Sequence, residues 1–191
     1  MAYGIAANGF YLEDKKIYQT ISPNMSVLII KKHIKEGIEI AQKAKLPKEV
    51  IDFIPEHHGT SLIRYFYNQA LKRAEESKSF DIIRKEDFRY PGPKPQSIET
   101  AIVMLADIVE ATSTSKLSQS YVDEEEIRRI VHECVLNQFN DGQFDECDMT
   151  LRDLHLIEES FIKTLVSRYH HRVHYPSAPK TQAREEKNAE G

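Results

Sequence analysis

The adjacent histidines His57 and His58 stand directly before Gly59, at the end of the short apolar run Val50-Ile51-Asp52-Phe53-Ile54. Two neighbouring rings at a helix end diverge only in part, so both can reach one cation. A glycine beneath them permits a tight turn. His33 lies in a second stretch of helical periodicity, and Asp107 in a third, Val103-Met104-Leu105-Ala106-Asp107-Ile108-Val109. Neutral imidazoles with a carboxylate suit zinc, iron, manganese or cobalt. Such a centre activates water against a phosphodiester.

Each of these residues also has a plainer reading. A carboxylate is costly to bury unless its charge is met. A helix admits one polar face, however, and Asp107 can share a solvent stripe with Glu99, Glu110 and Ser113. His33 has Lys31, Lys32 and Lys35 beside it, the setting of a surface residue. A histidine doublet is not diagnostic alone, because His170-His171 also occurs, in Arg168-Tyr169-His170-His171-Arg172. Cations at such a helix end complement its dipole. Spacing alone leaves both readings open.

The elements that must position these groups read as helices. Ser22-Pro23 supplies an N-cap and a first-turn proline. Val27, Ile30, Ile34, Ile38 and Ala41 then recur at helical spacing until about Leu46, before Pro47. A short helix follows with Val50, Ile51, Phe53 and Ile54 on its buried face. A third carries Leu62, Ile63, Phe66, Ala70 and Leu71 inward. Three prolines make Arg89-Tyr90-Pro91-Gly92-Pro93-Lys94-Pro95 an extended loop. Ser97 caps the most apolar helix, with Ile98, Ala101, Ile102, Leu105 and Ile108 buried. Asp123 with Glu126 begins another, and Thr150 begins the last. There is no strand pattern and no repeat. The predicted fold class is all-α, with about six or seven helices. An irregular leader over 1–21, a domain over 22–176 and a disordered tail over 177–191 divide the chain.

With 40% hydrophobic and 29% charged residues, the 191-residue chain suits one globular domain. A net charge of -4 offers no strongly basic face, which excludes a DNA or RNA partner. A small anion remains compatible, because a metal ion or a local arginine cluster reverses the field inside a pocket. Cys134 and Cys147 lack disulfide-scaffold numbers and zinc-motif spacing, and read as free thiols of a reducing cytoplasm. No apolar run approaches the ~18 residues of a bilayer span. The first ten residues carry no signal-peptide pattern.

Four blocks in fixed order resemble a known family. The first runs from Ser22-Pro23-Asn24-Met25 through His33 to Gly37. The second is Asp52-Phe53-Ile54-Pro55-Glu56-His57-His58-Gly59-Thr60. The third is Tyr90-Pro91-Gly92-Pro93-Lys94-Pro95-Gln96-Ser97, continuing into Met104-Leu105-Ala106-Asp107-Ile108-Val109-Glu110-Ala111. The fourth is Thr150-Leu151-Arg152-Asp153-Leu154. Together, over roughly residues 20 to 176, they look like the cytoplasmic HD domain of the seven-transmembrane HD receptors. These are metal-dependent phosphohydrolases whose characterised members hydrolyse cyclic di-AMP to linear pApA.

In that family the metal ligands run as a histidine, a His-Asp doublet, a histidine, a His-His doublet and an aspartate. By resemblance, His33, His57 and His58 hold one ion and Asp107 serves a second. The implied cofactor is a divalent transition metal, manganese or iron. This sequence has no His-Asp dipeptide and no histidine before His33, and Asp14 is the carboxylate nearest upstream. The resemblance therefore implies an HD-domain helical bundle lacking its first helices, either a truncated gene product or a diverged short relative, with one ion rather than two. A membrane domain would belong to the missing part.

Two function classes follow from the resemblance. One is a phosphodiesterase acting on a cyclic dinucleotide or another phosphate ester. The other is a catalytically inactive metal- or nucleotide-binding module, or a fragment of a larger membrane-anchored HD protein. Arg64, Arg89 and Lys94 lie near the blocks and would meet phosphate oxygens, solvated surface charge being the alternative. Tyr65, Tyr67 or Tyr90 would stack on adenine or pack in the core. A domain stripped of its first helices should expose apolar faces around 27–40 and 98–108, which predicts a homodimer. The expected location is cytoplasmic.

Overall fold

Helix α1, Pro23–Lys43, begins where Ser22 accepts a hydrogen bond from the Met25 amide at 3.2 Å. It ends earlier than the Leu46 expected from periodicity. Lys45 takes a left-handed φ of 56°, and the Leu46 amide reaches back to the Ala41 carbonyl at 3.1 Å. With the Lys45 amide donating to the Gln42 carbonyl at 2.9 Å, this pair of closing hydrogen bonds satisfies carbonyls that would otherwise end unpaired. A computed structural model describes residues 20–78, 82–117 and 122–170, so nearly all of the expected leader and all of the expected tail lie outside the described residues.

Six more helices follow: α2 Lys48–Ile51, α3 Phe53–Glu56, α4 Arg64–Ser77, α5 Ile98–Lys116, α6 Glu124–Asn140 and α7 Leu151–His170. A 3-10 turn, Lys85–Phe88, precedes the proline loop. The fold is all-α. Leu62 and Ile63, expected inside the third long helix, lie ahead of α4. The Ile63 amide donates to the Phe88 carbonyl at 2.9 Å, and the Tyr90 amide donates to the Ser61 carbonyl at 3.0 Å. These bonds make one isolated antiparallel bridge between Leu62 and Arg89. The bridge fixes the proline loop beside the His57-His58 turn.

Two apolar clusters form. Val27, Ile30 and Ile34 of α1 pack with Ile63, Phe66, Ala70, Phe88 and Tyr90. Ala101, Met104, Leu105 and Val109 of α5 pack with Ile127, Ile130, Val131 of α6 and Leu154, Ile162 and Leu165 of α7. The four apolar residues of α2 and α3 bury less than expected: Val50 is 48% exposed, and Ile51, Phe53 and Ile54 are only half-buried.

The expected open faces are only partly so. On α1, Met25, Leu28 and Ile40 are exposed while Val27, Ile30 and Ile34 are core. On α5 the apolar face is closed by α6 and α7, and Val103 alone among its large apolar residues is exposed. No helix among the described residues is long and apolar enough to cross a membrane.

Helix α5 carries Asp107, and its start is fixed by a reciprocal cap. Ser97 Oγ accepts from the Thr100 amide at 3.2 Å, and Thr100 Oγ1 accepts from the Ser97 amide at 3.3 Å. Ser97→Ala should therefore lower stability by about 1 kcal/mol. Urea titration would measure it, with Glu99→Ala, an exposed first-turn change outside the cap, as the comparison expected to shift the midpoint less.

Candidate metal centre

His33 projects from the middle of α1. His57 and His58 leave the end of α3, and Asp107 projects from the middle of α5. Three sequence-distant elements thus bring four side chains to the seam between the two apolar clusters. The ring centroids of His57 and His58 are 3.8 Å apart, those of His33 and His58 5.1 Å, and those of His33 and His57 5.9 Å. One ligand nitrogen from each of the three rings lies within 4.8 Å of the others.

The orientation of the rings has a local cause. His33 Nδ1 donates to the Ile30 carbonyl at 2.5 Å. His57 Nδ1 donates to the Ile54 carbonyl at 2.7 Å and to the Phe53 carbonyl at 3.1 Å. Both rings bond back one turn to their own helix, which puts the proton on Nδ1 and leaves the Nε2 lone pair free. Histidines that ligate metals are oriented by this kind of outer bond. The Nε2 atoms of His33 and His58 are buried without any hydrogen-bond partner among the described residues. A buried acceptor left unmet is costly, and a divalent cation is the partner that three convergent imidazole nitrogens fit.

Charge follows burial here. Burial, reinforced by the neighbouring rings of His57 and His33, pushes the His58 imidazole down to about 2. Burial likewise holds His33 below its ordinary value against the bond to Ile30. Both rings are therefore neutral at physiological pH, the form that ligates metal. Asp107 is not on the solvent stripe: it is half-buried, and burial pushes its carboxyl above the ordinary range. Its Oδ2 stands 3.8 Å from His58 Nδ1, too far for a hydrogen bond. Ser113, the expected stripe neighbour, is buried and bonds the Val109 carbonyl.

Tyr90 is buried and stacks flat on His58, centroids 4.2 Å apart and 14° between planes. Tyr65 packs against Phe66 and Tyr67 against Phe88. Beyond His58 and Asp107 a cleft of about 310 Å³ opens. Its walls include Leu62, Ile108 and Ala111, and its far rim carries Arg64, Asn137 and Gln138.

The three expected phosphate-binding cations separate. Arg64 lines the cleft and donates to Asn137 Oδ1 at 3.3 Å. Arg89 makes a two-pronged pair with Asp141, at 2.6 and 2.8 Å, and donates to the Thr60 carbonyl at 2.7 Å. Lys94 pairs with Asp145 at 3.1 Å. Two polar residues of the surroundings had no signal in periodicity. Glu56 is buried and accepts from the Gln96 amide at 2.9 Å. Gln143 is wholly buried and bonded to Thr60 and Asp141. The only hint was the Asn140-Asp141-Gly142 turn, which reads as solvent-facing loop.

Two outcomes are expected from this geometry. Gly59 has a φ of 52°, and a Cβ there would sit 2.5 Å from Gln143 Oε1 and 2.7 Å from Met104 Cε. Gly59→Ala should cost about 2 kcal/mol or more in denaturant unfolding. The second concerns pH. Burial pushes the Asp141 carboxyl up, but hydrogen bonds from Arg89 and Gln143 outweigh it and hold the group below 3.8. A depressed carboxylate stabilises the fold above its unfolded value, and that contribution is lost as pH falls through the lowered native value. Urea midpoints taken between about pH 2 and 6 should drop less steeply in Asp141→Asn than in the parent.

Comparison with known proteins places this geometry. The HD domain pattern matches residues 11–112. The cyclic-di-AMP phosphodiesterase PgpH of Bacillus subtilis is 39% identical over 163 residues, which are 85% of this chain and 22% of that protein. The chain thus spans about a fifth of the length of the curated relatives it matches. The crystal structure of the Listeria monocytogenes phosphodiesterase PgpH HD domain superposes with a TM-score of 0.70 at 34% identity, covering 85% of this chain and 69% of that one. The same domain in complex with cyclic-di-AMP gives 0.70 at 36% identity, covering 83% and 70%.

Proposed function

The chain belongs to the HD-domain family, and from that premise we propose that it carries part of a metal-dependent phosphodiesterase centre for a cyclic dinucleotide. His33, His57 and His58 hold one divalent ion through Nε2, manganese or iron, and Asp107 stands at the second position. The observation that carries this reading is the convergence of three imidazole nitrogens, two of them buried and without a hydrogen-bond partner among the described residues. The ligand is assigned by likeness to the relatives' cyclic-di-AMP activity and complex.

A bound divalent ion supplies Lewis acidity toward a phosphoryl oxygen and toward attacking water. The protein residues do the rest. The Nδ1 bonds of His33 and His57 hold their rings in one tautomer. Tyr90 stacked on His58 keeps bulk water from one face of that ring. Asp107, raised by burial, is suited to take a proton at Oδ2. The cleft is large enough for one nucleoside of the ligand, and Arg64 at its rim is the cation suited to a phosphate oxygen. In this reading the domain works in the cytoplasm, over about residues 22–176. Exposed Met25, Leu28 and Ile40 favour either a homodimer or cover from a further part of a larger protein.

A second reading has its own observation. These 191 residues contain no His-Asp dipeptide, the source of a bridging carboxylate in the family. The chain alone then binds one ion and the nucleotide while turning over slowly or not at all.

One preparation separates the readings. Metal content, cyclic di-AMP binding and formation of linear pApA would be measured with manganese. The expected result is stoichiometric metal, and loss of it in His57→Ala by more than the roughly 10- to 100-fold typical of an outer-shell change. pApA formation that disappears in His57→Ala supports hydrolysis, and binding without pApA supports the module. No metal and no nucleotide binding by the folded parent would sink both.

A further inference from the structure

The turn that carries His57 and His58 is gripped from behind by the loop following α6, a segment 83 residues away in sequence. Gln143 is the grip. Its Oε1 accepts from the Thr60 amide at 3.0 Å and from Thr60 Oγ1 at 3.3 Å. Its Nε2 lies 3.1 Å from Thr60 Oγ1 and donates to Asp141 Oδ2 at 2.9 Å. Arg89 completes the brace, clamping Asp141 with two bonds and reaching the Thr60 carbonyl with one nitrogen shared between both tasks. Gln143 Oε1 also fills the space where a side chain on Gly59 would go. The backbone of residues 59–60 therefore has its amide, its carbonyl and its open face all held by one buried network.

A buried glutamine with this many partners is not there for packing alone, since a leucine would fill the volume without needing satisfied donors and acceptors. What the network fixes is direction. Among the described residues nothing hydrogen-bonds His58 Nε2 to hold its ring. His58 is set by the stacked ring of Tyr90, by the His57 ring 3.8 Å away and by the turn that carries it. Tyr90 itself is tied to Ser61, the residue after Thr60.

We infer that Gln143, backed by Asp141 and Arg89, is a positioning residue of the metal centre, acting through Thr60 and Gly59 to aim the His57-His58 pair at the ion. The inference rests on the three-histidine reading above. It also turns Arg89 from a substrate-binding residue into part of the scaffold.

The test uses cobalt(II) on the whole chain, which reports ligand geometry by its visible absorption. Gln143→Met keeps the side-chain volume and removes the bonds. Ile162→Val, in the α7 core, is a stability control remote from the site. The expected result is that Gln143→Met binds cobalt at least about tenfold more weakly and shifts the absorption bands. Ile162→Val, matched for thermal midpoint, should keep the parent spectrum and affinity. If Gln143→Met does not fold, Arg89→Lys gives the same readout, because it breaks the two-pronged clamp and keeps the charge. A folded Gln143→Met or Arg89→Lys with parental affinity and spectrum overturns the inference. A folded parent that binds no cobalt overturns the three-histidine reading instead, and the inference with it.

Discussion

His33 and Asp107 meet at the His57-His58 turn only if two separately built apolar clusters keep a fixed offset. His33 is carried by α1 of one cluster, and Asp107 by α5 of the other. Neither cluster's hydrophobic packing specifies where the other sits, because burial is roughly proportional to area and has no direction. Direction comes from the polar seam between them. The end of α6 and its loop present Asn137 to Arg64, Gln138 to Ser61, Gln143 to Thr60 and Asp141 to Arg89. On the other flank Glu56 receives the Gln96 amide. All but the Arg89–Asp141 pair join the histidine turn, or the segment just after it, to the second half of the chain, and Arg89 is itself bonded to the Thr60 carbonyl.

That division explains what was legible in the sequence. The long helices were, because each buries one face and its apolar residues recur at helical period: Val27, Ile30 and Ile34 in α1, and Ala101 and Leu105 in α5. The caps Ser22, Ser97 and Thr150 were legible for the same local reason. The extended Leu62-Ile63 segment was not, since apolar side chains followed by a helix look like that helix's first turn. Only its pairing with Phe88 and Tyr90, more than twenty residues on, makes it extended. Lys45 in the left-handed region was equally invisible, because glycine is the usual signal for that conformation and it is absent there.

The candidate site divides the same way. His33, His57, His58 and Asp107 stand together, and residue type with block order pointed to them. What tells ligand from surface histidine lay in three dimensions: a half-buried ring looks no different in sequence from a lysine-flanked surface residue, until its Nδ1 is seen bonded to Ile30 and its Nε2 to nothing among the described residues. Gln143 shows the limit more plainly. A glutamine after Asn-Asp-Gly reads as loop, and its burial depends entirely on Thr60 being brought to it.

The electrostatics of the cluster point one way. Burial keeps His33 and His58 neutral with lone pairs to offer, and Asp107 offers a carboxylate whose burial is not offset by a hydrogen bond to its nearest ring. Among the described residues no lysine or arginine is paired with Asp107, while Arg89 and Lys94 have carboxylates of their own. A protein interior tolerates this combination of unmet acceptors and a poorly solvated acid only at a cost. One dication at the centre of the histidines would remove both deficits at once, satisfying the nitrogens and placing positive charge near the acid.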